Sequence, residues 1–388
     1  MRALITNAHE DAGMITIRSL ARAGFVVHSL DTHRLAFAVR SRYVTAHYDL
    51  SGIDDQEFEY ELLKLVEQIR PDVLLPLGTR AVRAASRHRA ELLKHTSVNV
   101  VHSDGFWAAC NKSMCMTECQ RVGIATPATY NENDALEFLQ GGQSHITLVV
   151  KPGYDIGAAA SVHYVKSPAE LRAAVASCTA RFGSCIIQDF IPGGSDAMNT
   201  VVLLFTPSSR LAAAFTLRKI RQWPTTGGST AVGVSTADHD LIKQVLPFFE
   251  RWKWCGVAEV ELKLDPRDGI HKVIEINPRH PGYIRFLHRC GIDFATLAAK
   301  IALNGDDGTP RPLPAYRVGE TYVSPTMFIK LMRQDMRTLG MVKTIRRTIF
   351  DARGGIRIVA DMLTDPLPLI ARTLMPPRQS SFPFLPKE

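Results

Sequence analysis

Apolar positions fall into two regimes along this chain. Over the first hundred residues, short apolar runs at Ala3 to Thr6, Val26 to Leu30, Val73 to Leu77 and Val98 to Val101 alternate with amphipathic stretches. Those stretches span Met14 to Ala23, Glu57 to Ile69 and Thr79 to Leu93. Short apolar runs suit buried strands and longer amphipathic stretches suit helices, so the pattern predicts βαβ units feeding a parallel sheet. Ligands of such sheets bind at the carboxyl ends of the strands, where the loops Asn7 to Gly13 and Gly78 to Arg80 would lie. Neither loop carries the spaced glycines of a dinucleotide fingerprint, which disfavours a nicotinamide cofactor.

Beyond residue 104 the pattern changes. A helical stretch from Phe106 to Val122 precedes Pro127, and strand-like cores follow at Thr147 to Lys151, Ile186 to Phe190, Val201 to Phe205 and Leu211 to Leu217. Two further strands, Gly256 to Leu264 and His271 to Ile276, flank the turn-rich string Asp265, Pro266, Arg267, Asp268, Gly269, as a hairpin requires. Asp306 to Pro310 reads as a linker. After it, Met327 to Phe350 sets Phe328, Leu331, Met332, Leu339, Val342, Ile345 and Ile349 among Lys330, Arg333, Arg337, Lys343, Arg346 and Arg347. That spacing predicts an amphipathic basic helical region with a break at Gly340. The expected class is α/β followed by α+β, divided into residues 1–104, 105–305 and a basic, partly helical extension over 306–388. Within the middle unit a small subdomain is expected over about 125–190 and a large one over about 191–305.

Composition adds limits. With 46% hydrophobic residues the chain can fill a globular core, and no run of about 18 uncharged apolar residues interrupts it. The N-terminus enters a strand pattern without a signal-peptide cleavage region, so a cytoplasmic protein is expected. Seven cysteines, an odd number, point to reduced thiols. Cys110, Cys115 and Cys119 match no zinc spacing and read as small buried hydrophobes. Nearly all of the net charge of +8 sits after residue 310, where 13 Lys or Arg face 6 Asp or Glu. Such a tail suits packing on the body, a second copy in a homodimer, or peripheral contact with an anionic surface. The rest of the chain is nearly neutral and without a recognition motif, which argues against nucleic acid.

The chemistry concentrates at the hairpin. Strand alternation puts Val257, Glu259 and Glu261 on one face of GVAEVELKLD, while Glu275 and Asn277 share a face of the next strand. Paired across the turn, Glu261, Glu275 and the Asn277 amide oxygen can converge on a hard cation, for which magnesium is suited. Arg279, just past the strand, can set a guanidinium against a transferring phosphoryl group.

VELKLD followed by IEINPRHPG resembles the metal-binding end of the ATP-grasp superfamily, which includes biotin carboxylase, carbamoyl phosphate synthetase and many carboxylate-amine ligases. The resemblance runs from Met1 to about residue 305 and implies a pre-ATP-grasp parallel-sheet domain followed by a two-subdomain ATP-grasp fold. It places Lys112, after Asn111 at a helix start, on nucleotide phosphate. Lys151 in VVKPGYDIGAAASVHYV matches the strand lysine near the α-phosphate and adenine edge; a lysine in so apolar a strand needs an anionic partner in any case. The loop from Gly153 to Ala160, Gly157 among it, would fold over the phosphates, although it holds fewer glycines than many relatives. IIQDFIPGGSD resembles the adenine-gripping connector. The likeness implies base contacts from the backbone of Asp189, Phe190 and Ile191 and from Gln188, and ribose contacts from Asp196; the family usually has glutamates where Gln188 and Asp196 stand. RKIRQWPTTGGST resembles the substrate loop. Alternation sets Lys219 and Arg221 on one face there, and the likeness assigns them to the acyl phosphate or γ-phosphate.

The implied activity is ATP-dependent ligation. A carboxylate attacks the γ-phosphate, giving an acyl phosphate that an amine displaces, with release of ADP and phosphate. ATP and Mg2+, or Mn2+ in its place, are the implied cofactors. Amino acids or small carboxylates, with a small-molecule amine, are the implied substrates, contacted by the N-terminal loops and by Pro281 to Arg289. No Ser-His-Asp or Cys-His set is evident, and His280 and His288 read as polar packing residues. Two alternatives remain: a nucleotide-binding homologue without turnover, and a carboxylating or carbamoylating enzyme using bicarbonate. The second is weakened by the lack of a biotin-carrier or glutaminase segment.

Overall fold

The structure, a computed structural model, describes residues 1–388 except 34–36, 142–146, 155–161, 226, 307, 310, 342 and 345–388. It opens with β1 (Arg2–Ile5), α1 (Asp11–Arg22), β2 (Val26–Asp31), β3 (Val44–Asp49), α2 (Asp55–Ile69), β4 (Val73–Leu75), α3 (Thr79–Arg87) and α4 (Arg89–Leu92). The strands form a parallel sheet in the order β3-β2-β1-β4. α2 starts on a capping box, Asp54 accepting from the Glu57 amide while the Glu57 carboxylate accepts from Asp54.

Two N-terminal expectations are corrected. Val98 to Val101 is not a strand: it runs as a strap, with Asn99 Nδ2 donating to the Phe205 carbonyl at 2.8 Å and Cys255 Sγ to the Val100 carbonyl at 3.1 Å. Its valines are buried against the following domain, which an apolar run alone cannot distinguish from sheet burial. β3 was not anticipated, because VTAHYD at a half-exposed sheet edge lacks a clean apolar face.

The expected helix over Phe106 to Val122 is two, α5 (Ser103–Cys110) and α6 (Lys112–Arg121), parted at Asn111, whose backbone is extended. Asn111 Oδ1 accepts from the Met114 amide at 3.1 Å, so the break is an N-cap. Then come β5 (Thr129–Tyr130), α7 (Glu132–Gln140), β6 (Leu148–Pro152), β7 (His163–Val165), α8 (Pro168–Phe182) and β8 (Cys185–Asp189). The strands make an antiparallel sheet, β5-β8-β6-β7, with its own small core of Leu148, Val150, Leu171, Cys178 and Ile187.

The largest sheet uses β9 (Met198–Phe205), β10 (Leu211–Trp223), β11 (Ser229–Thr236), β12 (Gly256–Asp265), β13 (Ile270–Asn277) and β14 (Thr321–Val323), in the order β13-β12-β9-β10-β11-β14. Between them lie α9 (His239–Arg251), α10 (Ile284–Cys290) and α11 (Phe294–Asn304), and α12 (Pro325–Leu339) follows. β9 explains its unbroken apolar run. Val201, Leu203 and Phe205 enter one core with α5, α6 and α9, while Val202 and Leu204 enter another with α1, α10 and α11. Each such side chain contributes about 1.5–3 kcal/mol on burial, and both cores reach into the N-terminal sheet, fixing its loops over the large sheet.

The stretch expected to be an extension is, up to residue 339, built into this body. β14 pairs with β11, and Asp306 accepts from Thr206 at 2.8 Å and also from Arg210. The seven cysteines are free thiols, six of them buried. The basic region from Ile345 onward, with Val342, lies outside the described residues.

Candidate active site

Asp265 at the end of β12 is fully buried and receives Arg267 Nη2 and Lys272 Nζ, each at 2.6 Å. Arg267, seconded by Lys272, holds its carboxyl well below the usual carboxylate range. This charged knot fixes the hairpin turn and with it the register that sets Glu261 opposite Glu275 and Glu259 opposite Asn277. Tyr283 donates to Glu259 at 2.5 Å and Asn277 Nδ2 at 3.3 Å. Asn277 Oδ1 is buried with no hydrogen-bond partner, an acceptor that a protein interior rarely leaves unmatched.

Cations face these acids. Lys219 of β10 is fully buried, its Nζ 2.8 Å from Glu261 Oε2 and 3.3 Å from the Gly228 carbonyl. Lys112, the first residue of α6, reaches the Tyr154 carbonyl at 3.1 Å and stands 3.6 Å from Glu275 Oε2. Lys151 of β6 donates to the Ile274 carbonyl at 3.2 Å. Burial, with the charges of Glu275 and Glu259, pushes the Glu261 carboxyl up to about 7 although Lys219 opposes it. Burial and the neighbouring Lys112 bring Lys151 down to about 8.

Glu259, Glu261, Glu275, Asn277, Lys112 and Lys151 line a cavity of about 540 Å³, large enough for a nucleotide-sized ligand. Its walls bring together Lys112, Lys151, Gln188, Asp189, Phe190 and Ile191 with Glu261, Glu275, Asn277 and Arg279. In the connector, Gln188 Nε2 donates to Thr129 at 3.1 Å and Tyr130 to the Asp189 carboxylate at 3.0 Å. The amides of Asp189 and Phe190 are committed to the Ala128 and Thr147 carbonyls. The Ile191 carbonyl accepts from Lys263 Nζ at 2.7 Å, and that ammonium lies 5.0 Å from the centre of the Phe190 ring.

Other sequence-derived residues sit elsewhere. Asp196 is exposed on a short turn and is not on the cavity wall. Gly157 lies outside the described residues. Lys219 and Arg221 are both buried, as alternation requires, yet neither lines the cavity: Lys219 stands behind Glu261, and Arg221 bonds Asp335 of α12 at 2.7 Å. A β-bulge at Arg221 turns the strand there.

Several wall residues were not singled out beforehand. Glu259 carried the alternation signal and Tyr283 lies within the expected Pro281 to Arg289 segment, but Lys263, Tyr322, Ser324 and Met327 carried none. His9 and Glu10 from the loop after β1 and Asp11 at the start of α1 line the cavity, within one of the two stretches expected to face a site. The other meets it through Thr79, whose Oγ1 accepts from Arg279 Nε at 3.1 Å. A Cβ at Gly78 would displace the Asn7 side chain, whose Oδ1 accepts from the Gly78 amide at 3.2 Å.

Among the described residues no group of three His, Cys, Asp or Glu side chains is gathered for a metal ion. The donors here are two carboxylates and an orphaned amide oxygen. That set fits magnesium, which binds through one or two carboxylates and completes its shell with phosphate oxygens and water.

No protein-family model matches the chain. A D-aspartate ligase of Enterococcus faecium is 23% identical over 274 residues, a match taking in 65% of this chain and 65% of the ligase. The chain thus spans just under two thirds of that relative's length. The biotin carboxylase domain of the Hydrogenobacter thermophilus 2-oxoglutarate carboxylase, solved with MgADP, ADP and bicarbonate, superimposes with a TM-score of 0.66 at 12% identity. That likeness covers 82% of this chain and 73% of the other. The L-amino acid ligase of Bacillus licheniformis superimposes with a TM-score of 0.58 at 19% identity, over 78% and 74% of the two chains. The chain has a parallel N-terminal sheet, a small antiparallel sheet and a large antiparallel sheet, and its superposition on these proteins gives it the ATP-grasp fold.

Proposed function

We propose that the protein is an ATP-dependent carboxylate-amine ligase working through an acyl phosphate. The observation that carries this reading is the register of β12 and β13, which puts Glu261 across from Glu275 beside an unmatched Asn277 oxygen. Lys112 and Lys151 stand on the facing wall of the same cavity. A divalent cation held by Glu261, Glu275 and Asn277 would supply charge neutralisation for the triphosphate.

The chain's own residues divide the remaining work. Lys112 and Lys151 would bind phosphate oxygens, and an anion there relieves the repulsion between the two ammonium groups. With the Asp189 and Phe190 amides committed, the adenine edge would meet the Ile191 amide, beside Gln188 and Lys263. Arg279, held by Thr79, would orient the phosphoryl group as the carboxylate attacks it. Lys219 would act indirectly, holding Glu261 in place, and Arg221 would brace α12. Gly157 keeps the phosphate-loop role that the family pattern assigns, whereas Asp196, off the cavity wall, is left without the ribose role.

The D-aspartate ligase similarity makes D-aspartate the first carboxylate to test, ahead of other amino acids. The deciding experiment measures ADP release with ATP and magnesium over pairs of amino acids and small amines, followed by product mass. The proposal expects ADP release that depends on both substrates and a product lighter than their sum by one water. Nucleotide binding with no substrate-dependent ADP release would contradict it.

A further inference from the structure

The cavity wall opposite the hairpin contains a charged assembly that phosphate binding does not use. His9 lies in the loop after β1, and Asp31 is the last residue of β2; as neighbours in a parallel sheet, these strands deliver both residues to one edge. The Asp31 side chain is fully buried. It accepts from the His9 amide at 2.6 Å, meets His9 Nδ1 at 2.8 Å and accepts from the His33 amide at 2.8 Å. His9 therefore has fixed backbone, ring orientation and tautomer: Nδ1 carries the proton to Asp31, and Nε2 is the ring nitrogen left for chemistry. Nε2 is 3.6 Å from Glu10 Oε1, and both His9 and Glu10 line the cavity that holds Arg279 and Glu275.

We infer that the His9–Asp31 pair is the general base for the amine substrate, with Glu10 attracting its ammonium. The inference rests on the ligase reading. Ligation by an amine at neutral pH needs a proton acceptor, since the protonated amine has no lone pair with which to attack. In the step inferred, His9 Nε2 takes one proton from R–NH3+. The freed nitrogen pair attacks the acyl phosphate carbon, the C–O bond to phosphate breaks, and its electron pair leaves with the phosphate. The second nitrogen proton passes to that phosphate, giving the hydrogen phosphate dianion, and His9 later returns its own proton to solvent. The buried Asp31 carboxylate stabilises the imidazolium formed on the way.

Burial alone lowers the His9 imidazole, but the Asp31 hydrogen bond and the charges of Asp31 and Glu10 outweigh it and leave it above the ordinary 6.5. The ring of His33, tilted against that of His9 with 4.5 Å between centroids, is itself held low by burial and by the charge of His9. Amide formation should thus rise with pH through the His9 titration.

Hydroxylamine separates this step from phosphoryl transfer. It is uncharged at neutral pH, needs no proton acceptor, and traps acyl phosphates as hydroxamates. With ATP, magnesium and an amino-acid carboxylate, His9→Gln should form hydroxamate at the wild-type rate within about twofold. Its amide formation with an amine should fall about a hundredfold or more and lose the rising pH limb. Equal losses in both assays, or unchanged amide formation, would overturn the role of His9 while leaving the ligase reading in place. Wild-type protein that forms no hydroxamate from any amino acid would instead remove the ligase reading, and this inference with it.

Discussion

Arg221 of β10 and Asp335 of α12, 114 residues apart, form a buried ion pair of 2.7 Å that ties α12 to the large sheet. Removing one partner of such a pair leaves a charge in a site built for two, at a cost of about 3–5 kcal/mol. Asp335→Ala should lower stability in urea unfolding by about that amount, and Arg221→Met with Asp335→Leu should recover most of it. A single-variant loss below about 1 kcal/mol would show that the pair is dispensable.

Lys219 is the counter-ion of Glu261, with Glu275 and Glu259 close enough to raise that carboxyl. Lys219→Met should therefore destabilise the protein and make its melting temperature depend on magnesium more steeply than the wild type's. Stabilisation by a ligand grows to about 2.7 kcal/mol at a hundredfold its dissociation constant, so a magnesium titration by thermal shift can read the difference. Identical magnesium responses in variant and wild type would contradict a cation site at Glu261.

Parts of this arrangement are written in local sequence and parts are not. The turn Asp265 to Gly269, the alternation of Glu259 and Glu261 and the position of Asn277 are local signals, and the hairpin follows them. β9 was legible as a buried strand for a similar reason, its unbroken apolar run. Val98 to Val101 misled because apolar burial does not say whether the partner is a strand or another domain. Arg221 was read toward the site because alternation gives a face but not what covers it, and the cover, Asp335, is far along the chain. His9 and Asp31 meet only through the β1–β2 pairing, which spacing does not announce.

The Lys151 ammonium, brought down to about 8 by burial and by Lys112, gives nucleotide binding a pH dependence. A bound phosphate favours the charged lysine, so binding takes up a proton once the free site has begun to lose it. Affinity for ATP should be flat below about pH 8 and weaken above it, by at most about tenfold per pH unit. Calorimetry in buffers of different ionisation enthalpy should show proton uptake at pH 9, and Lys151→Arg should abolish that uptake. An affinity that strengthens with rising pH would contradict the assignment.

The central claim is that Glu261, Glu275 and Asn277 jointly hold the cation accompanying a nucleotide triphosphate. Anomalous diffraction from crystals grown with Mn2+ and a non-hydrolysable ATP analogue tests it directly. The predicted result is a manganese peak at coordination distance, about 2.1 Å, from carboxylate oxygens of both glutamates and from Asn277 Oδ1. Nucleotide density in the cavity with no manganese peak between those three side chains would contradict it.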